Sequence, residues 1–178
     1  MTVIVWDGKQ LVGDKQATEG GVLQTVTKVR KITSGKHRGW LIGASGATAQ
    51  CNMMMGWFEA GADPNKFPHS LQKEDGFAAH MIAISPHGVV HKYEFVPFPI
   101  VFEDSFYASG SGRDLAIGAL AMGADAVQAA EVACTYCTEC GVGLDVVDLK
   151  TPRKKAPSKK ASSKESSGDK WKETLRSY

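Results

Sequence analysis

The chain has 178 residues, 43% of them hydrophobic, and a formal net charge of +2, which suits one domain with a proper core. No run approaches the eighteen or so apolar residues of a membrane-spanning helix, and no export signal is recognisable. We therefore expect a cytoplasmic protein whose four cysteines, Cys51, Cys134, Cys137 and Cys140, are reduced thiols.

The first predicted element is a β-hairpin at the start of the chain. Two apolar runs flank Asp7 and Gly8, a pair that tolerates the positive φ angles of a tight turn. With these two as the turn residues, Thr2 pairs with Gly13, and Asp14 lies beside the chain end. The sequence thus predicts that a hydroxyl, an amine and a carboxylate converge.

Further elements alternate between strand-like and helical patterns. Two segments rich in Ala, Met, Leu and Glu predict helices over 45–62 and 111–137, the second broken at Gly123 with Asp125 capping a new helix. A further hairpin turn is predicted at "SPHG". This order predicts an α+β layered fold. The predicted strands are 2–6, 10–15, 25–33, 39–44, 80–85, 88–95 and 142–149.

The first predicted helix is unusually apolar. In "CNMMMGWFEAGA" (51–62), Met, Trp and Phe occupy so many successive positions that one helix face cannot bury them all. We expect part of this surface to contact another subunit, the alternative being a helix wholly buried in the core.

Charge divides the chain into two parts. Residues 150–178 contain 10 basic and 3 acidic side chains, whereas residues 1–149 contain 11 and 16. The tail is rich in Ser, Lys and Pro, a composition typical of disorder. It is predicted to solubilise the chain, or alternatively to tether an acidic partner, with nucleic acid a less favoured partner. The predicted domains are therefore a folded domain, 1–149, and a disordered basic tail, 150–178.

A cysteine run near the end of the second helical segment raises the question of a metal. "CTYCTEC" (134–140) has two-residue spacings that can chelate zinc or an iron–sulfur cluster, but it lacks a fourth ligand. Cys134 also fits the helix pattern as a small apolar residue. We predict neither a metal nor a cofactor.

Several segments together resemble a known family. The opening strand with Thr2, "GDKQAT", "TKVRKI", "GWLIGASGATA", "SGSGRDLAIGALAMG" and "CGVGLDVV" follow, in this order, the landmarks of proteasome-type β subunits. They are most similar to HslV-like threonine peptidases of the N-terminal nucleophile hydrolase superfamily. This resemblance, over about residues 2–149, implies a four-layer αββα sandwich.

The resemblance also implies a mechanism, which ordinary chemistry supports. A threonine hydroxyl needs a base, and the α-amine of an N-terminal threonine, with an unperturbed pKa of about 7.7–8.0, supplies one. Removal of Met1 is therefore the expected activating step. The implied catalytic residues are Thr2 as nucleophile, Lys28 as the cation that favours the neutral amine, Asp14 as its partner, Gly43 as an oxyanion donor and Ser111 near the amine.

One position departs from the family pattern. Cys137 stands where many proteasome-type subunits have an aspartate, and a thiol cannot replace a carboxylate as acceptor and charge. The expected function remains a threonine endopeptidase that assembles into a ring and cleaves peptides or unfolded proteins, with an ATPase unfoldase as a further partner. The alternatives are an amidase acting on a small molecule and a catalytically silent, proteasome-like shell protein.

Overall fold

The computed structural model describes residues 2–68 and 79–150, so the predicted tail lies outside the described residues except for Lys150. Within them, no helix is both long and apolar enough to cross a membrane. The helices are α1 (Thr48–Glu59), α2 (Arg113–Ala121) and α3 (Ala126–Tyr136). The strands are β1 (Val3–Trp6), β2 (Gln10–Asp14), β3 (Gln16–Glu19), β4 (Val22–Thr25), β5 (Val29–Lys31), β6 (Leu41–Ser45), β7 (His80–Ile84), β8 (Val90–Tyr93), β9 (Ile100–Phe102), β10 (Tyr107–Gly110) and β11 (Leu144–Asp148).

Two antiparallel sheets lie face to face between two helix layers. One sheet has the order β10-β1-β2-β11, and the other has the order β5-β6-β7-β8-β9. Apolar side chains such as Ile4, Trp6 and Leu41 fill the space between the sheets. Helices α2 and α3 cover the outer face of the first sheet, and α1 covers the second. The predicted α+β class and αββα layering are confirmed.

Local sequence explains how the helices of the first layer begin. Asp125 caps α3, because its carboxylate accepts the N–H of Gln128 while the Gln128 side chain accepts the N–H of Asp125. Gly123, at a φ of +95°, ends the preceding turn and separates α2 from α3. The predicted break and cap are therefore confirmed.

Helix α1 buries its apolar side chains within the subunit. Its buried residues come from successive turns, and Met53 is the exposed methionine of the helix, at 45%. The β6–β7 face and the 62–67 segment surround most of the helix, and contact of the remaining exposed part with another subunit stays a prediction. The buried set is Cys51, Met54, Met55, Trp57 and Phe58.

The register of the first hairpin differs by two residues from the prediction. Ile4, not Thr2, lies opposite Gly13. The Asp7 carboxylate accepts the N–H groups of Lys9 and Gln10, so the turn centres one residue later than the sequence suggested. A shift of two keeps every side chain on its predicted face of the sheet.

Gly110 permits a close backbone approach beside Thr2. Its φ is +92°, and a Cβ at this position would lie 2.2 Å from the Thr2 carbonyl oxygen. Gly110→Ala is therefore expected to lower the free energy of unfolding by about 2–4 kcal/mol, from backbone strain and overpacking. Urea titration measures this.

Gly118→Ala provides the matched control. Gly118 lies in α2, where a Cβ would meet nothing within 4 Å. This second substitution is expected to raise stability by about 0.5–1 kcal/mol. Equal effects from the two substitutions would contradict the close approach at Gly110.

Candidate active site

Thr2 lies at the tip of β1, between the two sheets' ends. Thr2 is buried, with 3% of the residue exposed to solvent. The Thr2 carbonyl accepts the N–H of Gly112 at 3.2 Å, which fixes the residue against the turn that follows β10. Val3 donates its N–H to Asp14 Oδ1 at 2.8 Å. The start of the chain is thus held on both sides.

Asp14 is the centre of a buried hydrogen-bond network. It is completely buried, and its two carboxylate oxygens accept from four donors. Oδ1 accepts from the Val3 N–H and from Lys28 Nζ, both at 2.8 Å. Oδ2 accepts from the N–H groups of Gln16 and Gly141, both at 3.1 Å. The placement of Asp14 beside the start of β1 agrees with the hairpin argument.

Lys28 differs from the other basic residues of its segment. It lies just before β5 with 8% of its side chain exposed, and its ammonium contacts Asp14. Arg30 instead pairs with Glu59 at the end of α1, where both side chains are more than one-third exposed. Lys31 donates to the carbonyls of Asp148 and Leu149 on β11 and just beyond it. Only the Lys28 pair within this cluster is buried.

Thr2 lines a first cavity of about 360 Å³ together with Lys28 and Gly46. The cavity runs between the β3 region and α1, and Cys51 and Met55 of α1 also line it. Burial raises the pKa of the Cys51 thiol to about 11, so that group is neutral at physiological pH. Among the described residues that line this cavity, Lys28 is the one with a formally charged side chain, and it is paired with Asp14.

A second cavity, of about 550 Å³, meets the first at Thr2 and Gly46. Ser111 lines it, so the structure brings Ser111 to the same space as Thr2. Its wall is strongly polar, in contrast to the first cavity. The other polar side chains along it are Ser45, His80, Lys92, Glu94, Tyr107, Ser109, Arg113 and Glu139.

The polar wall of the second cavity was not predicted from the sequence. Lys92 pairs with Glu94, and that hydrogen bond lowers the pKa of the Glu94 carboxyl. Burial and the Lys92 charge lower the pKa of His80, which therefore carries a neutral imidazole at neutral pH. His80 begins β7, and Lys92 and Glu94 lie two positions apart at and just beyond the end of β8, so no repeated polar pattern in the sequence reveals this wall.

Gly43 and Gly46 have different positions, although both were part of the same predicted turn. Gly43 lies inside β6, between Val29 of β5 and Ile82 of β7, and it lines neither cavity. A Cβ there would lie 2.9 Å from the Val29 side chain and 3.2 Å from Ile4 of the other sheet, so the glycine lets the two sheets approach. Gly46, with a φ of +125°, follows β6 and lines both cavities. The prediction assigned an oxyanion role to Gly43, which the structure places in the strand ladder.

The cysteine run spans the last residues of α3 and the turn that follows this helix. Among residues 2–68 and 79–150, no group of three His, Cys, Asp or Glu side chains could hold a metal ion, and all four cysteines are free thiols. Burial raises the pKa of Cys134 to about 11 and of Cys140 to about 12, so both thiols are protonated at neutral pH. Protonated thiols are poor metal ligands.

Comparisons with known proteins place this geometry in a structural context. No family model matches the chain, and no curated protein matches it. Among solved structures, HslV from Trypanosoma brucei is 22% identical, with a TM-score of 0.58 over 83% of this chain and 97% of that chain. BPH of Thiobacillus denitrificans in complex with epoxomicin is 17% identical, with a TM-score of 0.60 over 85% of this chain and 100% of that chain.

The chain has the fold of an HslV-like, proteasome-type subunit. The match extends over 83–85% of this chain and 97–100% of the compared chains. At these identities the likeness establishes the fold, whereas the chemistry must be argued from the residues at the site.

Proposed function

We propose that the chain is a threonine-type N-terminal nucleophile hydrolase that cleaves peptide bonds after Met1 is removed. The observation that carries this proposal is the buried Asp14–Lys28 pair, because the same carboxylate oxygen also holds the N–H of Val3, next to Thr2. A buried ammonium close to a free α-amine disfavours protonation of that amine, which can then act as a base.

In the proposed reaction, the Thr2 hydroxyl attacks the carbonyl carbon of the substrate and its proton passes to the α-amine. The tetrahedral intermediate expels the substrate's amine leaving group, which takes up that proton. An ester to the Thr2 oxygen remains, and water hydrolyses this ester to regenerate the hydroxyl. Ser111, in the second cavity with Thr2, is positioned to hydrogen-bond near the amine.

We assign the oxyanion donor to the backbone N–H of Gly46 instead of Gly43. Gly46 lines both cavities that meet at Thr2, and α1 begins two residues later at Thr48. Backbone donors and the positive end of a helix dipole both favour developing negative charge. A preorganised donor of this kind contributes about 2.7–4 kcal/mol to transition-state stabilisation in other hydrolases.

Self-association belongs to the proposal as well, and an exposed apolar surface on another part of the subunit than α1 supports it. The segment 95–101 leaves Phe95, Val96, Phe98, Ile100 and Val101 between 48% and 69% exposed. Its last two residues belong to β9, which is an edge strand of the five-stranded sheet. Exposed apolar patches of this kind mark interaction surfaces, which supports a ring assembled through this segment. A peptide or unfolded protein is the proposed substrate, and an ATPase unfoldase the proposed partner.

A peptide vinyl sulfone with mass mapping tests the catalytic proposal. The purified protein is expected to lack Met1 and to form a covalent adduct on Thr2, with no adduct on the four cysteines after reversible thiol blocking. Retention of Met1 would contradict the mechanism, and processed protein without an adduct would favour a silent shell protein. Faster hydrolysis of short peptides than of simple amides would indicate a peptidase, and the reverse would indicate a small-molecule amidase.

A further inference from the structure

We propose that Cys137 and Cys140 form a reversible disulfide that controls how firmly Asp14 is held. The two residues lie at the ends of one tight turn, because the N–H of Cys140 donates to the Cys137 carbonyl at 3.2 Å. The Cα atoms at the ends of such a turn lie less than about 7 Å apart, close to the 4.4–6.8 Å range of disulfides. Besides burial and the Asp14 charge, the neighbouring Cys137 thiol also raises the pKa of Cys140.

The turn is in direct contact with the candidate active site. Gly141, the residue after Cys140, donates its N–H to Asp14 Oδ2 at 3.1 Å. Inside the turn, the Thr138 carbonyl accepts the side-chain amide of Gln16 at 3.1 Å. A change in the turn therefore reaches Asp14 through Gly141 and reaches β3 through Gln16.

The sulfur of Cys140 forms a second contact with the site. A Cβ on Gly112 would lie 2.9 Å from this sulfur, so the thiol fills the space that glycine leaves free. Gly112 follows Ser111 and donates its N–H to the Thr2 carbonyl. Drawing the Cys140 sulfur toward Cys137 removes this packing and loosens both the Gly112 and the Gly141 contacts.

Thiol–disulfide exchange with a small disulfide such as oxidised glutathione supplies the oxidant. The Cys137 thiolate attacks one sulfur of the small disulfide, forms a mixed disulfide and releases one small thiol. The Cys140 thiolate then attacks the Cys137 sulfur and releases the second small thiol. The protein loses two hydrogen atoms and the small disulfide gains them. Cys137 is half-buried and Cys140 is 3% exposed, which makes Cys137 the first to react.

The modification does not require Thr2 to be a nucleophile, whereas its effect on hydrolysis rests on the proposed function. The test incubates the purified full-length protein with oxidised glutathione at mildly alkaline pH and then maps disulfides by mass spectrometry. We expect the loss of two hydrogen atoms, with the bond between residues 137 and 140. Cys137→Ser and Cys140→Ser are each expected to prevent it, and Cys134→Ser serves as the control that does not.

Hydrogen exchange separates the two parts of the proposal. Oxidation is expected to speed amide exchange at Val3, Gln16 and Gly141, and to lower peptide hydrolysis by about tenfold or more, with recovery after dithiothreitol. A disulfide that leaves exchange at these amides unchanged overturns the link to Asp14. A bond to Cys134, or stable glutathione adducts alone, overturns the disulfide itself. An inactive protein that still shows the bond and the faster exchange counts against the proposed function only.

Discussion

Thr2→Ala is expected to abolish peptide hydrolysis, by at least about 10³-fold, while the fold remains intact. The substitution removes the hydroxyl oxygen that is proposed to attack the substrate. In the proposed mechanism no other group of the protein forms a covalent bond to the substrate. The carbonyl of residue 2, which accepts from Gly112, belongs to the backbone and is kept. Initial rates on a fluorogenic peptide, together with thermal unfolding, measure both effects.

Thr18→Ala is the matched control for that experiment. Thr18 lines the first cavity with Thr2 but is exposed, and it has no part in the proposed mechanism. Its loss is expected to leave the catalytic rate constant within about threefold of the parent, as removal of an interaction outside the reacting centre does. Substantial hydrolysis by Thr2→Ala at unchanged purity would refute the assignment of the nucleophile.

Lys28→Ala is expected to reduce hydrolysis by about 10²-fold or more, far beyond the effect of Arg30→Ala. Without the ammonium, the α-amine of Thr2 is easier to protonate and is a less available base. The Arg30–Glu59 pair is more than one-third exposed, and such surface pairs contribute about 1 kcal/mol or less. Rates across a pH series check this, because the Lys28→Ala profile should move toward higher pH.

In the Lys28 experiment, a loss of stability must be distinguished from the loss of the charge. Removing the ammonium leaves Asp14 buried, although three backbone N–H groups still bind its oxygens. We expect a loss of about 1–3 kcal/mol in the free energy of unfolding, the usual cost of an incompletely paired buried group. Lys28→Met keeps the apolar stem, so activity lost equally in Lys28→Met and Lys28→Ala is due to charge. Equal losses from Arg30→Ala would indicate a substrate-binding basic patch instead.

The sequence predicted the layers of the fold well, because apolar periodicity and caps are local signals. The capping box at Asp125 and the turn at Ser85–Gly88 are encoded in a few adjacent residues, and both are confirmed. The predicted strands did not include β3, β9 or β10 and reached β4 only at Thr25. In β9, exposed apolar residues and neighbouring prolines lack an alternating pattern. Of the predicted strand 25–33, residues 29–31 join the five-stranded sheet as β5, whereas Thr25 ends β4.

Site prediction succeeded where pairing is local and failed where it depends on several strands. Asp14 was placed beside the chain end despite the wrong register, because a shift of two residues preserves sheet faces. Which of Gly43 and Gly46 lies at the cavities could not be predicted from the sequence, because this depends on where β6 ends. The polar wall around His80 and Glu94 requires the pairing of β7 with β8, which no short segment specifies.

The hydrogen bond from Gly141 to Asp14 links residues 127 positions apart in the chain. A ribosome makes the chain from its N-terminus at about 5–20 residues per second, so Gly141 is synthesised several seconds after Asp14. Until Gly141 is present, Asp14, which holds the Val3 N–H and the Lys28 ammonium, lacks one of its hydrogen-bond donors. If the proposed mechanism holds, hydrolysis by a growing chain therefore begins only when synthesis of the folded part is almost complete.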